Sequence, residues 1–352
     1  MTHHQHGGER RTPAGGRAVH GTGQPVLALD IGGTKLAAGV VNADGTARAF
    51  AVCPTGVEDG PEACLKRLFD LGEDVLTRAG VDPAGLLGTG IGCGGPLDSA
   101  TGELIAPPHL PGWRDIPVTR LAEERFGAQA VLDNDGTAGA AGQWRFGVGR
   151  GCRHLLYLTV STGIGGGVVL QGQTFRGAAG NGGEPGHVTV RSGGRRCDSC
   201  GRAGCLEAYA SGTSIARRAA EAAAEARRRG ESTVLGRTAG PTAAQVAEAA
   251  RHGDAVAARV WDETVELLAG GLTSLVNVFE PDLVVLGGGV TRAGEQLLAP
   301  VRRLVAAQAM GPAAGAARIV RAARTDQAGV LGAAAIAFER LTEPHRDQER
   351  HG

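Results

Sequence analysis

Five short stretches of this 352-residue chain carry residues that could do chemistry. The first is Asp30-Ile31-Gly32-Gly33-Thr34-Lys35, where an acidic residue closes an apolar run and two glycines precede a hydroxyl. Glycines let backbone N–H groups come close to phosphate oxygens, and Thr34 adds a donor. Asp30 offers a carboxylate that could hold Mg2+ through water. The stretch lacks the GK[ST] ending of a Walker loop and the GxGxxG of a dinucleotide fold. The second stretch, Ser161-Thr162-Gly163-Ile164-Gly165-Gly166-Gly167, repeats this chemistry between two apolar runs. Either stretch alone also reads as a plain tight turn. Two in one chain suggest a clamp around a polyphosphate.

The third stretch, Leu132-Asp133-Asn134-Asp135-Gly136, places an amide beside a carboxylate at the end of a strand-like run. Moving a phosphoryl group to an alcohol needs a carboxylate to take the hydroxyl proton, and an amide to orient the acceptor. An Asx-rich turn has the same letters. The fourth comprises Glu184-Pro185-Gly186-His187, Cys197-Asp198-Ser199-Cys200 and Cys205-Leu206-Glu207. One His and three Cys at this spacing suit a closed tetrahedral Zn2+ site, with no position left for a substrate, so the metal would be structural. A redox Cys-x-x-Cys is the main competitor, and the third Cys and the His count against it. Glu184 and Glu207 flank the segment as acceptors for sugar hydroxyls, or as solvated surface. In the fifth, Val284-Val285-Leu286 runs into Gly287-Gly288-Gly289, where an adenine or ribose could lie against the backbone.

The elements that must position these groups follow from periodicity. Val26–Asp30, Leu36–Val41, Gly88–Cys93, Val131–Asp135 and Leu283–Leu286 read as strands, and Leu155–Leu170 as two strands around a turn. Helical spacing marks Pro61–Ala79, Thr213–Arg229, Thr242–His252, Asp254–Phe279, Ala293–Gln308 and Ala328–Leu341. Strands alternating with helices predict a mixed α/β protein. The two similar glycine turns hint at two related lobes. Residues up to Gln24, with His3, His4 and His6, read as a solvated leader, and those after Leu341 as a charged tail.

Composition narrows the field. Hydrophobic residues make up 42% of the chain, enough for a sizeable core. Basic and acidic residues number 36 each, a balance that argues against a nucleic-acid or anionic-membrane partner. No apolar run approaches a bilayer span, and no secretory signal is visible. Seven cysteines, three of them clustered, fit a reduced compartment and a metal site better than a disulfide framework. The expected location is cytoplasmic.

Taken together and in this order, the motifs resemble those of the ROK family of sugar kinases and repressors, within the actin-like ATPase and hexokinase (ribonuclease H-like) fold group. The resemblance runs from about Pro25 to about Leu341. It implies two α/β lobes, 25–133 and 134–341, with the site in the cleft between them and the last helix packing back on the first lobe. Asp135 would be the general base on a hexose hydroxyl, the 6-OH of glucose first among candidates. Asn134, Glu184, His187, Glu207 and Gly95 would hold the sugar. ATP phosphates would lie against Asp30, Gly32, Gly33, Thr34, Lys35, Thr162 and Gly163, with Mg2+ near Asp30 and the adenosine near Gly287 and Gly288. His187, Cys197, Cys200 and Cys205 would bind structural Zn2+. The family usually writes Cys-x-Cys where this chain has Cys197-x-x-Cys200, which makes Asp198 a competing ligand. Relatives often carry Asn where this chain has His109. N-acetylglucosamine, N-acetylmannosamine, fructose and allose are alternative substrates within the family, and a sugar-responsive regulator is an alternative function. The regulators carry a helix-turn-helix domain before the body, which the leader is too simple to form. A homodimer or homotetramer is expected by resemblance.

Overall fold

The computed structural model of the protein describes residues 23–237 and 240–342. His3, His4 and His6 of the expected leader, and residues 343–352 of the expected tail, lie outside them.

Two five-stranded sheets carry the chain. The first is built from β1 (Val26–Ile31), β2 (Lys35–Val41), β3 (Ala47–Pro54), β4 (Gly88–Cys93) and, after a short hairpin of β5 (Leu97–Asp98) and β6 (Glu103–Leu104), β7 (Ala130–Asn134). Its order is β3-β2-β1-β4-β7; β1, β4 and β7 are parallel, and β2 and β3 antiparallel. The second contains β8 (Leu155–Val160), β9 (Ile164–Leu170), β10 (Gln173–Phe175), β11 (Leu283–Gly287) and β12 (Arg318–Arg321), in the order β10-β9-β8-β11-β12. Here β8, β11 and β12 are parallel and β9 and β10 antiparallel. The second sheet thus repeats the connectivity of the first, a relation at which the sequence only hinted.

Every residue of β4 and of β11 is buried, as expected of central parallel strands covered on both faces. Helices α1 (Gly60–Ala79) and α2 (Val118–Phe126) cover one face of the first sheet. On the other face lie α3 (Asp135–Phe146) and α10 (Ala328–Thr342), the latter burying its Val330–Phe338 run against Val26, Ala28 and Ala37. The second sheet is covered by α5 (Gly212–Arg229), α6 (Ala243–Arg251), α7 (Ala255–Phe279) and α8 (Glu295–Gln308). The short α4 (Glu207–Ala210) leads into α5, and α9 (Gly311–Ala316) follows α8. Helix α3 serves both sheets: Ala138 and Ala141 pack with α10, while Ala140 packs with Leu155 and Tyr157. Among the described residues, no helix is long and apolar enough to cross a membrane.

One boundary differs from the sequence reading in a way that matters. The strand expected over Val131–Asp135 ends at Asn134, and Asp135 is the first residue of α3. Asn134 caps that helix by accepting the Gly136 N–H at 2.8 Å. Helix α3 escaped the periodicity because small residues line it all round, giving no apolar stripe. Strand β3 was hidden by its weak alternation, and α2 and β12 by their charged residues.

Candidate active site

Asp30 is the penultimate residue of β1, and the turn after the strand is tightly braced. The Gly32 N–H donates to the Lys35 carbonyl at 3.1 Å, and Thr55 donates through Oγ1 to the Gly32 carbonyl at 2.6 Å. That occupies the Gly32 amide; among the described residues the Gly33 and Thr34 N–H groups have no backbone partner and could meet an anion, beside the exposed Thr34 and Lys35 side chains. Space around the turn is scarce. A Cβ at Gly33 would sit 2.8 Å from the His109 carbonyl oxygen, and one at Gly94 would sit 2.5 Å from His109 Cε1. His109 is therefore wedged between the Asp30 turn and the Gly94-Gly95-Pro96 turn. Burial lowers its pKa, partly offset by the Asp135 charge.

The second glycine turn joins β8 to β9. The Ser161 N–H donates to the Gly163 carbonyl at 2.9 Å, and the Ile164 N–H donates to Glu207 Oε2 at 2.7 Å. The Gly212 N–H, at the start of α5, donates back to the Ser161 carbonyl at 2.6 Å. Among the described residues, the Thr162 and Gly163 amides again make no backbone hydrogen bond.

The carboxylates converge. Asp135 follows the cap of α3, and Asn134 directs its Nδ2 toward Gly95. Glu184 arrives on the far side because three glycines let backbones touch. A Cβ on Gly136 would lie 2.2 Å from the Gly166 carbonyl oxygen, one on Gly166 would lie 2.4 Å from Pro185 Cγ, and one on Gly186 would lie 1.9 Å from the Ile164 carbonyl oxygen. Side chains at these positions would drive α3, β9 and the Glu184–His187 turn apart. Asp135 and Glu184 are exposed to solvent, yet the protein packed around this floor of the site desolvates their carboxyls. Burial raises the Asp135 carboxyl, opposed by the Gly136 N–H and His109. Burial, then Asp135 and Glu207, push Glu184 up to about 6. Asp30 is pushed up to about 7 by burial and by the Asp135 charge, against the pull of Lys35. Four carboxylates leaning on one another make a site that favours a cation and hydroxyl donors.

Glu207, at the start of α4, ties this floor to the sulfur cluster. Its Oε2 accepts from the second glycine turn, and its Oε1 accepts from Ser199 Oγ and from Cys197 Sγ at 3.3 Å. The donor atoms of His187, Cys197, Cys200 and Cys205 all lie within 4.8 Å of one another. His187 Nδ1 is 3.9 Å from Cys197 Sγ, and Cys200 Sγ is 3.5 Å from Cys205 Sγ. Tetrahedral zinc, with Zn–S about 2.3 Å and Zn–N about 2.0 Å, spaces its ligand atoms about 3.5 to 3.8 Å apart, so the donor set fits that ion. Asp198, the competing ligand, instead pairs with Arg217 on α5 at 2.8 Å. Cys197 and Cys205 are buried with Ala208 and Tyr209 in a small core of their own.

Beside these groups lies a cavity of 1180 Å³, lined by Thr162, Thr213, Ala244, Trp261, Gly289 and Gln296 among others. Asp30, Asp135, Glu184 and Glu207 do not line it. The cavity, large enough for an aromatic ligand with polar extensions, adjoins the second glycine turn, and the carboxylates lie outside it. Gly288, at φ 86°, packs under β8 with its Cβ position 2.3 Å from the Val160 carbonyl oxygen, and Gly287 is buried, so Gly289 is the glycine of that triplet that meets the cavity. Sequence reasoning missed Thr213, Trp261 and Gln296, which meet here only by helix packing. It also passed over Asp133 and Arg176, although an aspartate inside a buried strand run was a signal.

The ROK family profile matches residues 26–340. A glucokinase from Thermotoga maritima is 36% identical over 320 residues, which cover 90% of this chain and 98% of that protein. The crystal structure of the ROK hexokinase from Thermus thermophilus superposes with a TM-score of 0.75 at 36% identity, covering 90% of this chain and 99% of that one. The ROK family glucokinase from Streptomyces griseus, in complex with glucose and AMPPNP, gives 0.73 at 32% identity, covering 90% and 99%.

Proposed function

Because the chain belongs to the ROK family, we propose that it transfers the γ-phosphoryl group of ATP to the 6-hydroxyl of glucose. The protein is an ATP-dependent hexose kinase with the two-lobed actin-like ATPase fold. One observation carries the assignment of its residues: β4 pairs both with β1, which carries Asp30, and with β7, which runs into Asp135, while Gly136, Gly166 and Gly186 bring the Glu184 turn against the start of α3. A base at that meeting point can reach a hydroxyl while a phosphate lies on the turn. The glucose and AMPPNP bound by the Streptomyces griseus relative support the choice of substrates.

In this reading Asp135 takes the proton of the acceptor hydroxyl as its oxygen bonds to the γ-phosphorus, and ADP leaves with the electrons of the broken P–O bond. Glu184, Glu207, Asn134 and the Gly95 turn accept or donate to the remaining sugar hydroxyls and hold the acceptor in line. The open amides of Gly33, Thr34, Thr162 and Gly163, with the Thr34 and Thr162 hydroxyls and Lys35, bind the phosphates. The adenosine occupies the cavity beside Gly289, against the strand end that Gly287 and Gly288 build. Asp30 would hold Mg2+, which neutralises phosphate charge; a crowded carboxyl pushed up to about 7 is one that a cation would bring back to its ionised form. His187, Cys197, Cys200 and Cys205 would hold Zn2+, which fixes the segment between them. His187 then keeps Nδ1 on the cluster side, leaving Nε2 for a sugar hydroxyl. Closure of the two lobes, 25–133 and 134–341, would exclude water from the transfer.

The test is ADP release from Mg·ATP with glucose, mannose, fructose, allose, N-acetylglucosamine and N-acetylmannosamine. Glucose is expected to give the highest kcat/KM. Asp135→Asn is expected to lower kcat by about 10²–10⁴-fold with the KM for ATP little changed. Preference for an N-acetylhexosamine would overturn the substrate, and an Asp135→Asn enzyme of normal kcat would overturn the base.

A further inference from the structure

A buried charged network lies directly behind the Asn134–Asp135 turn, and nothing in the mechanism above uses it. Asp133, at the end of β7, has no exposed surface. Its Oδ1 accepts the Asn134 N–H at 2.9 Å, and its Oδ2 accepts from Arg176 Nε at 2.8 Å. Arg176 follows β10 at the edge of the other sheet. Its Nη1 reaches the Thr174 carbonyl at 3.4 Å and Glu339 Oε1, on α10, at 3.6 Å. Glu339 Oε1 accepts in turn from the Thr174 N–H at 3.1 Å and from Thr174 Oγ1 at 2.7 Å. The guanidinium therefore joins one strand from each sheet to α10. The backbone of the same residue does something separate: the Arg176 carbonyl accepts the Gly182 N–H at 2.7 Å, closing the glycine-rich loop that delivers Glu184.

A buried carboxylate immediately before the base is costly to keep unless it is paired and hydrogen-bonded, and here both of its oxygens are engaged by groups that fix direction. We propose that Arg176 is a positioning residue for the phosphoryl transfer. Through Asp133 it sets the Asn134–Asp135 turn, and through its own carbonyl it sets the loop that carries Glu184. One residue thereby fixes the base and the acceptor-holding carboxylate relative to each other. Its planar fork engages Asp133 and Glu339 at once, which a single ammonium does not. The inference rests on the reading of Asp135 and Glu184 given above.

The experiment compares wild type with Arg176→Lys, Asp133→Asn and the double variant. It uses steady-state kinetics, calorimetric titration with glucose, and thermal unfolding. A misplacement on the order of 1 Å at a reacting group lowers rate by about 10²-fold. Arg176→Lys is therefore expected to lose about 10- to 100-fold in kcat and about tenfold in glucose affinity, while the KM for ATP stays within about twofold. An ion pair with only a structural role would lower the unfolding temperature and leave kcat and glucose affinity alone. The double variant is expected to be no slower than the slower single, since both residues act through one turn. Arg176→Lys with kcat and glucose affinity near wild type overturns the proposal, and so do losses that multiply in the double variant. Should Arg176→Lys fail to fold, Asp133→Asn decides alone: normal kcat overturns the proposal, and a kcat loss at constant ATP KM supports it. Glucose titration needs no turnover. A wild type that binds glucose without phosphorylating it defeats the kinase reading and leaves the Arg176→Lys binding comparison standing.

Discussion

Replacing Asp30 by Asn should stabilise the nucleotide- and metal-free protein at neutral pH while removing activity. The carboxyl lies at the end of β1 beside Asp135, so close to α10 that a Cβ on Gly329 would be 2.0 Å from its Oδ2, and no protein donor hydrogen-bonds it among the described residues. Its pKa is pushed from an ordinary 3.8 to about 7. Between those values the folded chain keeps a proton that the unfolded chain has released, so stability falls as pH rises through that window. Each pH unit of that window is worth about 1.4 kcal/mol, which gives roughly 4 kcal/mol as an upper bound. Asp30 is part-exposed, and solvent screening reduces this to about 2 kcal/mol. Asn cannot ionise and escapes the loss. Asp30→Asn should therefore gain about 2 kcal/mol at pH 8 and nothing near pH 4. In urea unfolding, at a slope of about 3 kcal/mol per M, the midpoint should rise by roughly 0.7 M at pH 8. Added Mg2+ should stabilise wild type and leave Asp30→Asn unmoved. A variant no more stable than wild type at pH 8, or equally stabilised at pH 4 and pH 8, would refute the reasoning.

Glu184, pushed up to about 6, must be ionised for the acceptor to be held, so kcat/KM for glucose should fall as pH drops through about 6; an acid limb near pH 4 in the pH–rate profile would contradict this. Elemental analysis should find one zinc per chain, and Cys205→Ser should lose it together with about 10- to 100-fold in glucose affinity. Retained metal and affinity in that variant would remove the ion from the sugar site. Gly186→Ala places a methyl 1.9 Å from the Ile164 carbonyl oxygen and should cost about 3 kcal/mol in chemical denaturation, with a raised KM for glucose; wild-type values for both would mean that the backbones there separate freely.

The groups of the candidate site were legible in the sequence because its parts are local. A glycine turn after a strand, an Asn-Asp pair and a Cys-and-His segment each declare their donors within a few residues, and the apolar runs of β1, β4, β8 and β11 mark the central strands that carry the turns. The boundary at Asn134 was misplaced because capping decides it: an Asn that bonds its own helix turns a strand end into the first turn of α3. What the sequence could not contain is the contact between these parts. The Glu184 turn reaches the Asp135 end of α3 only because Gly136, Gly166 and Gly186 stack three backbones from different elements, and Arg176 meets Asp133 and Glu339 only because both sheets and α10 close on one point. The cavity beside Thr162 is likewise lined from α5, α6, α7 and the segment after β11, and no window of sequence holds them together. Local hydrogen bonding and periodicity fixed which groups were present. Packing of distant elements decided which groups meet, and with that how far burial and neighbouring charge raise the carboxyls.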